Sequence, residues 1–168
     1  MRVRGLSKYG GMEFGILGPL EVTDRGQPMS VAGTKVRALL ALLLADVGTT
    51  VPAGRLADQL YGDDPPTNVA NALQTRVSQL RRILGAHVVV GRPPAYVLAV
   101  EPEAVDAVRF QRLAEQGRKS LSNGAPEEAS DLLAAALALW RGPAFVDIDL
   151  ETTRAEASRL DELRLTAL

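Results

Sequence analysis

The sequence predicts a mainly α-helical chain with small β-sheets, in which a short sheet, three helices and a β-hairpin precede an all-helical segment. Short apolar runs between Gly- and Pro-containing turns predict strands near the start of the chain. Apolar residues then recur at the spacing of helices. The predicted domains are residues 12–101 and 102–168, and residues 1–11 are predicted to be a loose extension.

The first predicted elements are short. Residues 12–23 predict two strands broken at a Gly-Pro pair, and residues 27–32 predict a third strand. Thr34 is expected to cap a first helix that extends to about Asp46. Its apolar residues follow helical spacing at Val36, Leu39, Leu40 and Leu43.

Two more helices follow, over residues 52–61 and 67–84, joined by the rigid loop Asp63-Asp-Pro-Pro66. The third helix is amphipathic. Its apolar stripe consists of Leu73, Val77, Leu80 and Leu84. The opposite, polar face carries Asn68, Asn71, Thr75, Ser78 and Arg82.

A β-hairpin is predicted after the third helix. Residues 87–90 and 95–100 predict its strands, and residues 91–94 predict the turn between them. A sheet, three helices and a basic hairpin, in this order, form the layout of a winged helix-turn-helix.

From residue 105 only helical periodicity is present. Helices are predicted over residues 105–121, with Leu121 on the apolar stripe, over 126–140, and from about 152 to 168. Small residues facing large ones favour close antiparallel packing of the first two. Trp140 is expected to be a core anchor. Helix pairs of this kind stack into longer arrays, so further helices are expected in a longer parent protein.

The net charge changes sign near the predicted domain boundary. Residues 1–101 contain 11 Lys and Arg against 8 Asp and Glu, whereas residues 102–168 contain 8 against 12. No acidic residue lies between Asp64 and Glu101, a stretch that includes the third helix and the hairpin. A helix without carboxylates but with arginines is suited to a polyanion, so the sequence predicts DNA binding.

The predicted DNA contacts lie on the third helix, at the start of the first helix and at the hairpin tip. They are Lys35, Asn71, Gln74, Thr75, Arg76, Ser78, Arg81, Arg82 and Arg92. The uncharged side chains offer donors and acceptors to base edges, and the arginines of the helix offer phosphate contacts, with Arg82 also suited to guanine. Arg92 is placed to enter a minor groove or clamp the backbone. Lys35 and Arg37 are expected to face DNA where the helix N-terminus meets a phosphate.

Structural explanations compete with some of these assignments. Arg81 and Arg82 also suit the C-terminal end of a solvated helix, and Asp63-Asp64 also suit a surface turn.

His87, the single histidine, begins an apolar strand and is expected to be structural. The chain has no cysteine and no Gly-rich phosphate loop. The sequence therefore predicts no enzyme, no cofactor and no metal site, and a cytoplasmic protein without a membrane span.

Several motifs, in order over residues 12–168, resemble those of one family. They are Phe14-Gly-Ile-Leu-Gly-Pro-Leu-Glu-Val22, Arg37-Ala-Leu-Leu-Ala-Leu-Leu-Leu44, Leu60-Tyr-Gly-Asp-Asp-Pro-Pro66, Asn71-Ala-Leu-Gln74, Val77-Ser-Gln-Leu-Arg-Arg82, Val105-Asp106, Arg109-Phe110 and Leu137-Ala-Leu-Trp-Arg-Gly-Pro143. The chain resembles the Streptomyces antibiotic regulatory protein (SARP) family. It departs from the family's usual residues at Tyr61 (Trp), at Ala95 (Gly) and at Thr75-Arg76 (Val-His).

The resemblance implies an OmpR-type winged helix domain followed by a bacterial transcriptional activation domain of tetratricopeptide-like helix pairs. It implies an activator of transcription that binds direct repeats near promoters and recruits RNA polymerase, with a homodimer as an open alternative. By analogy it makes Asp63 and Asp64 candidate polymerase contacts.

Two functions are consistent with the sequence. The first is this DNA-binding activator. The second is a helical-repeat protein-interaction module whose winged part is a scaffold that does not bind DNA, which the acidic helical half would favour.

Overall fold

The computed structural model describes residues 11–168, so the predicted extension, residues 1–11, lies outside the described residues except for its last glycine. The first described elements form an antiparallel sheet in the order β1-β2-β3. Its strands are β1 (Met12–Gly15), β2 (Glu21–Asp24) and β3 (Gln27–Met29). The third strand ends at Met29, whereas the prediction extended it to residue 32.

Three helices follow this sheet, as predicted: α1 (Thr34–Ala45), α2 (Ala53–Tyr61) and α3 (Val69–Leu84). Two of their caps differ from the prediction. Gly33, not Thr34, is the N-cap of α1, and no side chain among residues 11–168 caps that helix. Asn68 is the N-cap of α3, where its side chain accepts a hydrogen bond of 3.0 Å from the backbone N–H of Asn71. Asn68 therefore ends the loop instead of belonging to the polar face of the helix.

The predicted hairpin is part of a three-stranded sheet. Its strands β5 (Val89–Arg92) and β6 (Ala95–Leu98) are joined by β4 (Val51–Pro52), which pairs with β6 to give the order β4-β6-β5. A strand of two residues has no periodicity to detect, so the sequence could not reveal it. Because β4 leads directly into α2 and pairs with Ala95 and Tyr96, the hairpin is attached to the helices beside its turn.

The second half is helical. A 3₁₀ turn (Pro102–Ala104) leads to α4 (Asp106–Ser122), α5 (Pro126–Leu137) and α6 (Glu151–Leu165). Helices α4 and α5 pack closely, since a Cβ atom on Gly117 would lie 2.8 Å from the side chain of Leu133. The prediction for Leu121 is wrong, because this residue is 58% exposed at the last turn of α4 instead of lying on a buried stripe.

Trp140 lies beyond the end of α5 and joins the helices of the second half. Its ring meets that of Phe110 edge to face, with centroids 5.3 Å apart, and the guanidinium of Arg164 lies 4.6 Å from its centroid. Phe110 is completely buried. Trp140 packs against the core as predicted, but it is partly buried and lies three residues beyond the end of α5, outside a helix that was predicted to extend to residue 140.

The two halves are joined through polar as well as apolar contacts. Asp147 accepts a hydrogen bond of 2.8 Å from the backbone N–H of Leu20 and pairs with Arg37 of α1. The side chain of Gln59 accepts a hydrogen bond of 3.1 Å from the N–H of Thr152, in the first turn of α6.

Within residues 11–168, no helix has the length and apolar character needed to cross a bilayer.

Candidate nucleic-acid interface

The apolar stripe of α3 fixes the helix to the protein core. Leu73, Val77, Leu80 and Leu84 are at most 3% exposed and pack in the main hydrophobic cluster. The helix lies against α1 and α2. The predicted stripe is therefore confirmed, and it determines which face of α3 points to solvent.

The opposite face of α3 is exposed in the part of the chain that the structure describes. Its exposed side chains are Asn71, Gln74, Thr75, Ser78 and Arg82. The hydroxyl of Thr75 donates to the carbonyl of Asn71 at 2.9 Å, so its proton is engaged within the helix. The face as a whole offers amide and hydroxyl groups together with a guanidinium, and no carboxylate.

A groove of about 480 Å³ lies between the start of α1 and the C-terminal half of α3. It is lined by Ala32, Gly33, Thr34, Lys35, Val36, Arg76, Gln79, Arg82 and Ile83. Three of these side chains are cationic and none is acidic. The first turn of α1 has no acidic residue, and no described side chain caps it, so its N–H groups and dipole add to the positive potential.

The cationic side chains around this groove differ in their contacts within the protein and in their exposure. Lys35 donates to the carbonyl of Leu60 and lies 5.4 Å from the ring centroid of Tyr61. Arg76 is partly buried and donates to the side chain of Gln79 at 2.9 Å. Arg82 is exposed. The groove thus combines two held cations with one that extends into solvent.

Arg37 does not belong to this site. Its guanidinium donates to the carbonyl of Leu20 at 3.1 Å and pairs with Asp147 of the helical half. The expectation that it faces DNA beside Lys35 is corrected, because the helix turns the two side chains to different sides.

Arg81 is directed from α3 to the hairpin. Its Nε donates to the carbonyl of Val89 at 2.8 Å, and its Nη2 donates to that of Gly91 at 2.6 Å. Its guanidinium also lies 5.8 Å from the ring centroid of Tyr96. Burial raises the pKa of the Tyr96 hydroxyl, and the charge of Arg81 partly opposes this effect.

The remaining predicted residues lie at the edges of the site. Arg92 is exposed at the end of β5, directly before the Pro93-Pro94 turn. Asp63 and Asp64 are exposed in the loop between α2 and α3. His87 is exposed and precedes β5, so it is not part of the strand it was predicted to begin. Among the residues that the structure describes, no group of His, Cys, Asp and Glu side chains is arranged to hold a metal ion.

Comparison with known proteins identifies both halves of the chain. Residues 26–102 match the family described as "Transcriptional regulatory protein, C terminal", and residues 105–168 match the "Bacterial transcriptional activator domain". The chain is 37% identical to the transcriptional regulator RedD of Streptomyces coelicolor over 97% of its length. It is 36% identical to the regulatory protein DnrI of Streptomyces peucetius over 90% of its length. The chain belongs to the SARP family.

A solved structure supports the same architecture for this SARP chain. Mycobacterium tuberculosis EmbR, in complex with a low-affinity phosphopeptide, superimposes with a TM-score of 0.88 at 32% identity, covering 94% of this chain and 43% of EmbR. The predicted winged helix-turn-helix followed by an all-α domain is confirmed. The SARP chain spans 49% of RedD and 62% of DnrI, so it corresponds to about half the length of these relatives.

Proposed function

We propose that this chain is a DNA-binding transcriptional activator whose helix α3 lies in the major groove of direct repeats near a promoter. The exposed polar face of α3 carries the proposal, because it lies within the acid-free segment between Asp64 and Glu101. An exposed helix of this kind fits the major groove, where each base pair presents a distinct set of donors, acceptors and methyl groups.

The side chains of α3 divide into two kinds of contact. Asn71, Gln74 and Ser78 carry amides and a hydroxyl that suit base edges, and Thr75 adds a methyl group and an acceptor oxygen. Arg82 reaches further and suits either a guanine or a phosphate. In this proposal the uncharged residues determine the sequence preference and the arginine contributes mainly affinity.

The DNA backbone is proposed to run along the groove between α1 and α3. Lys35 and Arg76 line this groove, and the N-terminus of α1 presents free N–H groups to a phosphate. Arg92, at the tip of the hairpin, would contact the neighbouring minor groove or backbone. These contacts hold the helix in register but carry no sequence information of their own.

The rest of the chain is proposed to connect bound DNA to the transcription machinery. Asp63 and Asp64 are exposed beside the start of α3, where RNA polymerase bound at a promoter would meet them. We divide the chain into a DNA-binding domain, residues 12–101, and an activation domain, residues 102–168, which would support a homodimer on direct repeats. The protein would act in the cytoplasm, by binding and not by catalysis.

Selection of duplexes from a random-sequence library by the 168-residue chain tests DNA recognition. We expect an enriched sequence with a direct repeat, and a retarded band in a gel-shift titration whose affinity falls steeply with salt. A failure to retard any duplex at low salt would favour the protein-interaction module, with the acidic helical half as its binding surface.

Transcription in vitro from a promoter that contains the selected repeat tests the polymerase contact. The double variant Asp63→Ala, Asp64→Ala is expected to bind the duplex with unchanged affinity and to lose activation. Asp131→Ala, on the exposed side of α5, is the matched control. Full activation by the double variant would exclude these two carboxylates as the contact.

A further inference from the structure

Arg81 has a different environment from its neighbour Arg82. Arg82 is exposed, whereas Arg81 is partly buried and reaches the hairpin. Two of its N–H groups bind backbone carbonyls of β5, at 2.8 Å to Val89 and 2.6 Å to Gly91. Strand β5 is at the edge of its sheet, so Arg81 occupies a side of the strand that no further strand of residues 11–168 covers.

We propose that Arg81 is a positioning residue that fixes the hairpin, and with it Arg92, at a set angle to α3, and that it does not itself hold a DNA phosphate. This inference rests on the proposed DNA-binding function, and it replaces the prediction that Arg81 is a phosphate anchor. Arg81 would then connect α3, which contacts the major groove, to the hairpin, which contacts the flanking DNA backbone.

The chemistry of the guanidinium suits this role. Val89 and Gly91 are two residues apart on one strand, so their carbonyls point to the same side, and a planar fork of donors bridges them. The ring of Tyr96, on the neighbouring strand β6, lies 5.8 Å from the same guanidinium. The compact ammonium of a lysine would keep the charge but lacks this fork. Arg81→Lys therefore separates positioning from charge.

The free protein provides the first test. Amide hydrogen exchange of the 168-residue chain is measured for Arg81→Lys and Arg81→Gln, with Arg82→Lys and Arg82→Gln as matched controls. We expect exchange in β5 and β6 to become faster in both Arg81 variants and to stay unchanged in both Arg82 variants. Unchanged exchange in the Arg81 variants would overturn the proposal without reference to DNA.

Footprinting on the selected duplex provides the second test. We expect Arg81→Lys and Arg81→Gln to lose protection at the positions contacted by the hairpin, to keep protection of the central major groove, and to bind roughly tenfold more weakly. Uniform loss at all positions would indicate general destabilisation and would contradict a positioning role.

A double-variant comparison identifies the path of the effect. If Arg81 acts through the hairpin, Arg81→Gln lowers affinity much less once Arg92→Ala has removed the hairpin contact. Additive losses, together with wild-type binding by Arg81→Lys, would assign Arg81 to a phosphate instead. If the wild-type chain binds no duplex, the proposed function fails, and the exchange measurement still decides where Arg81 acts in the structure.

Discussion

The carboxylate of Asp106, in the first turn of α4, accepts a hydrogen bond of 2.8 Å from the backbone N–H of Ile16, although the two residues are 90 positions apart. Its second oxygen accepts from the N–H of Leu17 at 3.1 Å and lies 3.6 Å from Nη2 of Arg141. Asp106 is itself buried. This buried carboxylate thus joins the loop between β1 and β2 to the helical half, together with backbone hydrogen bonds from Arg141 to Leu17 and from Phe145 to Ile16.

Loss of this carboxylate is expected to destabilise the whole chain. Asp106→Ala leaves two buried N–H groups without partners and should lower the free energy of unfolding by about 3 kcal/mol. Asp131→Ala, an exposed position on α5, should change it by less than about 0.5 kcal/mol. Urea denaturation followed by circular dichroism measures both. Equal unfolding midpoints for the two variants would show that Asp106 does not fasten the halves.

The contribution of Asp106 to stability is expected to depend on pH. Burial raises the pKa of this carboxyl above its ordinary value of 3.8, and the N–H groups of Ile16 and Leu17, followed by Arg141 and Arg109, oppose the rise. A raised pKa in the folded state means that the folded chain binds the proton more tightly than the unfolded chain does. The resulting stabilisation is complete below the ordinary pKa and is lost as pH rises through the raised one.

Comparison with Asp106→Asn, which does not titrate, isolates this effect. We expect the free energy of unfolding of the wild type, relative to that variant, to fall as pH rises above the ordinary pKa and then to level off. Denaturant titrations across the acidic range measure the difference. A difference that grows with pH would show that the hydrogen bonds and Arg141 outweigh burial.

The sequence predicted the parts of the fold that depend on local periodicity. The stripe Leu73, Val77, Leu80 and Leu84 sufficed to orient α3, because helical spacing alone defines which residues share a face. The same reasoning gave the hairpin and the order of the helices. Local periodicity therefore predicted the exposed face of α3 in the candidate site without any knowledge of tertiary contacts.

Contacts between distant segments were beyond prediction from the sequence. The partners of Arg37 and Arg81 lie on other elements, Asp147 in one case and the carbonyls of β5 in the other. Nothing in the residues around an arginine tells which carbonyl or carboxylate the fold will bring to it. For this reason the predicted list of DNA contacts included an arginine that the structure directs to the hairpin.

The conformation of the hairpin is expected to require glycine at position 91. Gly91 has a φ of +105°, and a Cβ atom there would lie 2.5 Å from the carbonyl oxygen of Ala95. Gly91→Ala should therefore distort the hairpin and lower the free energy of unfolding by about 1–3 kcal/mol. Thermal unfolding with the wild type alongside measures the change.

Gly54, in helix α2, is the matched control for this substitution. Nothing lies within 4 Å of a Cβ atom built there, so Gly54→Ala should raise stability by about 0.5–1 kcal/mol. Opposite signs for the two alanine variants are the expected result. A Gly91→Ala protein as stable as the wild type would contradict the proposed strain in the hairpin.

The salt dependence of DNA binding should report the phosphate contacts. Arg92→Ala removes a proposed backbone contact, so the slope of log affinity against log salt should decrease in magnitude by about one. Arg154→Ala removes a positive charge from the exposed side of α6 and should leave the slope unchanged. Gel-shift titrations at several salt concentrations provide the slopes. An equal decrease for both variants would indicate a general effect of net charge, not a contact.

The most direct test of the proposed role of α3 uses the absence of cysteine from the chain, which makes an introduced thiol unique. The rate of modification by a maleimide is measured for Ser78→Cys and for Asp131→Cys, with and without a saturating amount of the selected duplex. Both positions are exposed in the free protein. Protection at position 78 and none at position 131 is the predicted result. Bound duplex that leaves the thiol at position 78 as reactive as in the free protein would contradict the placement of α3 in the major groove.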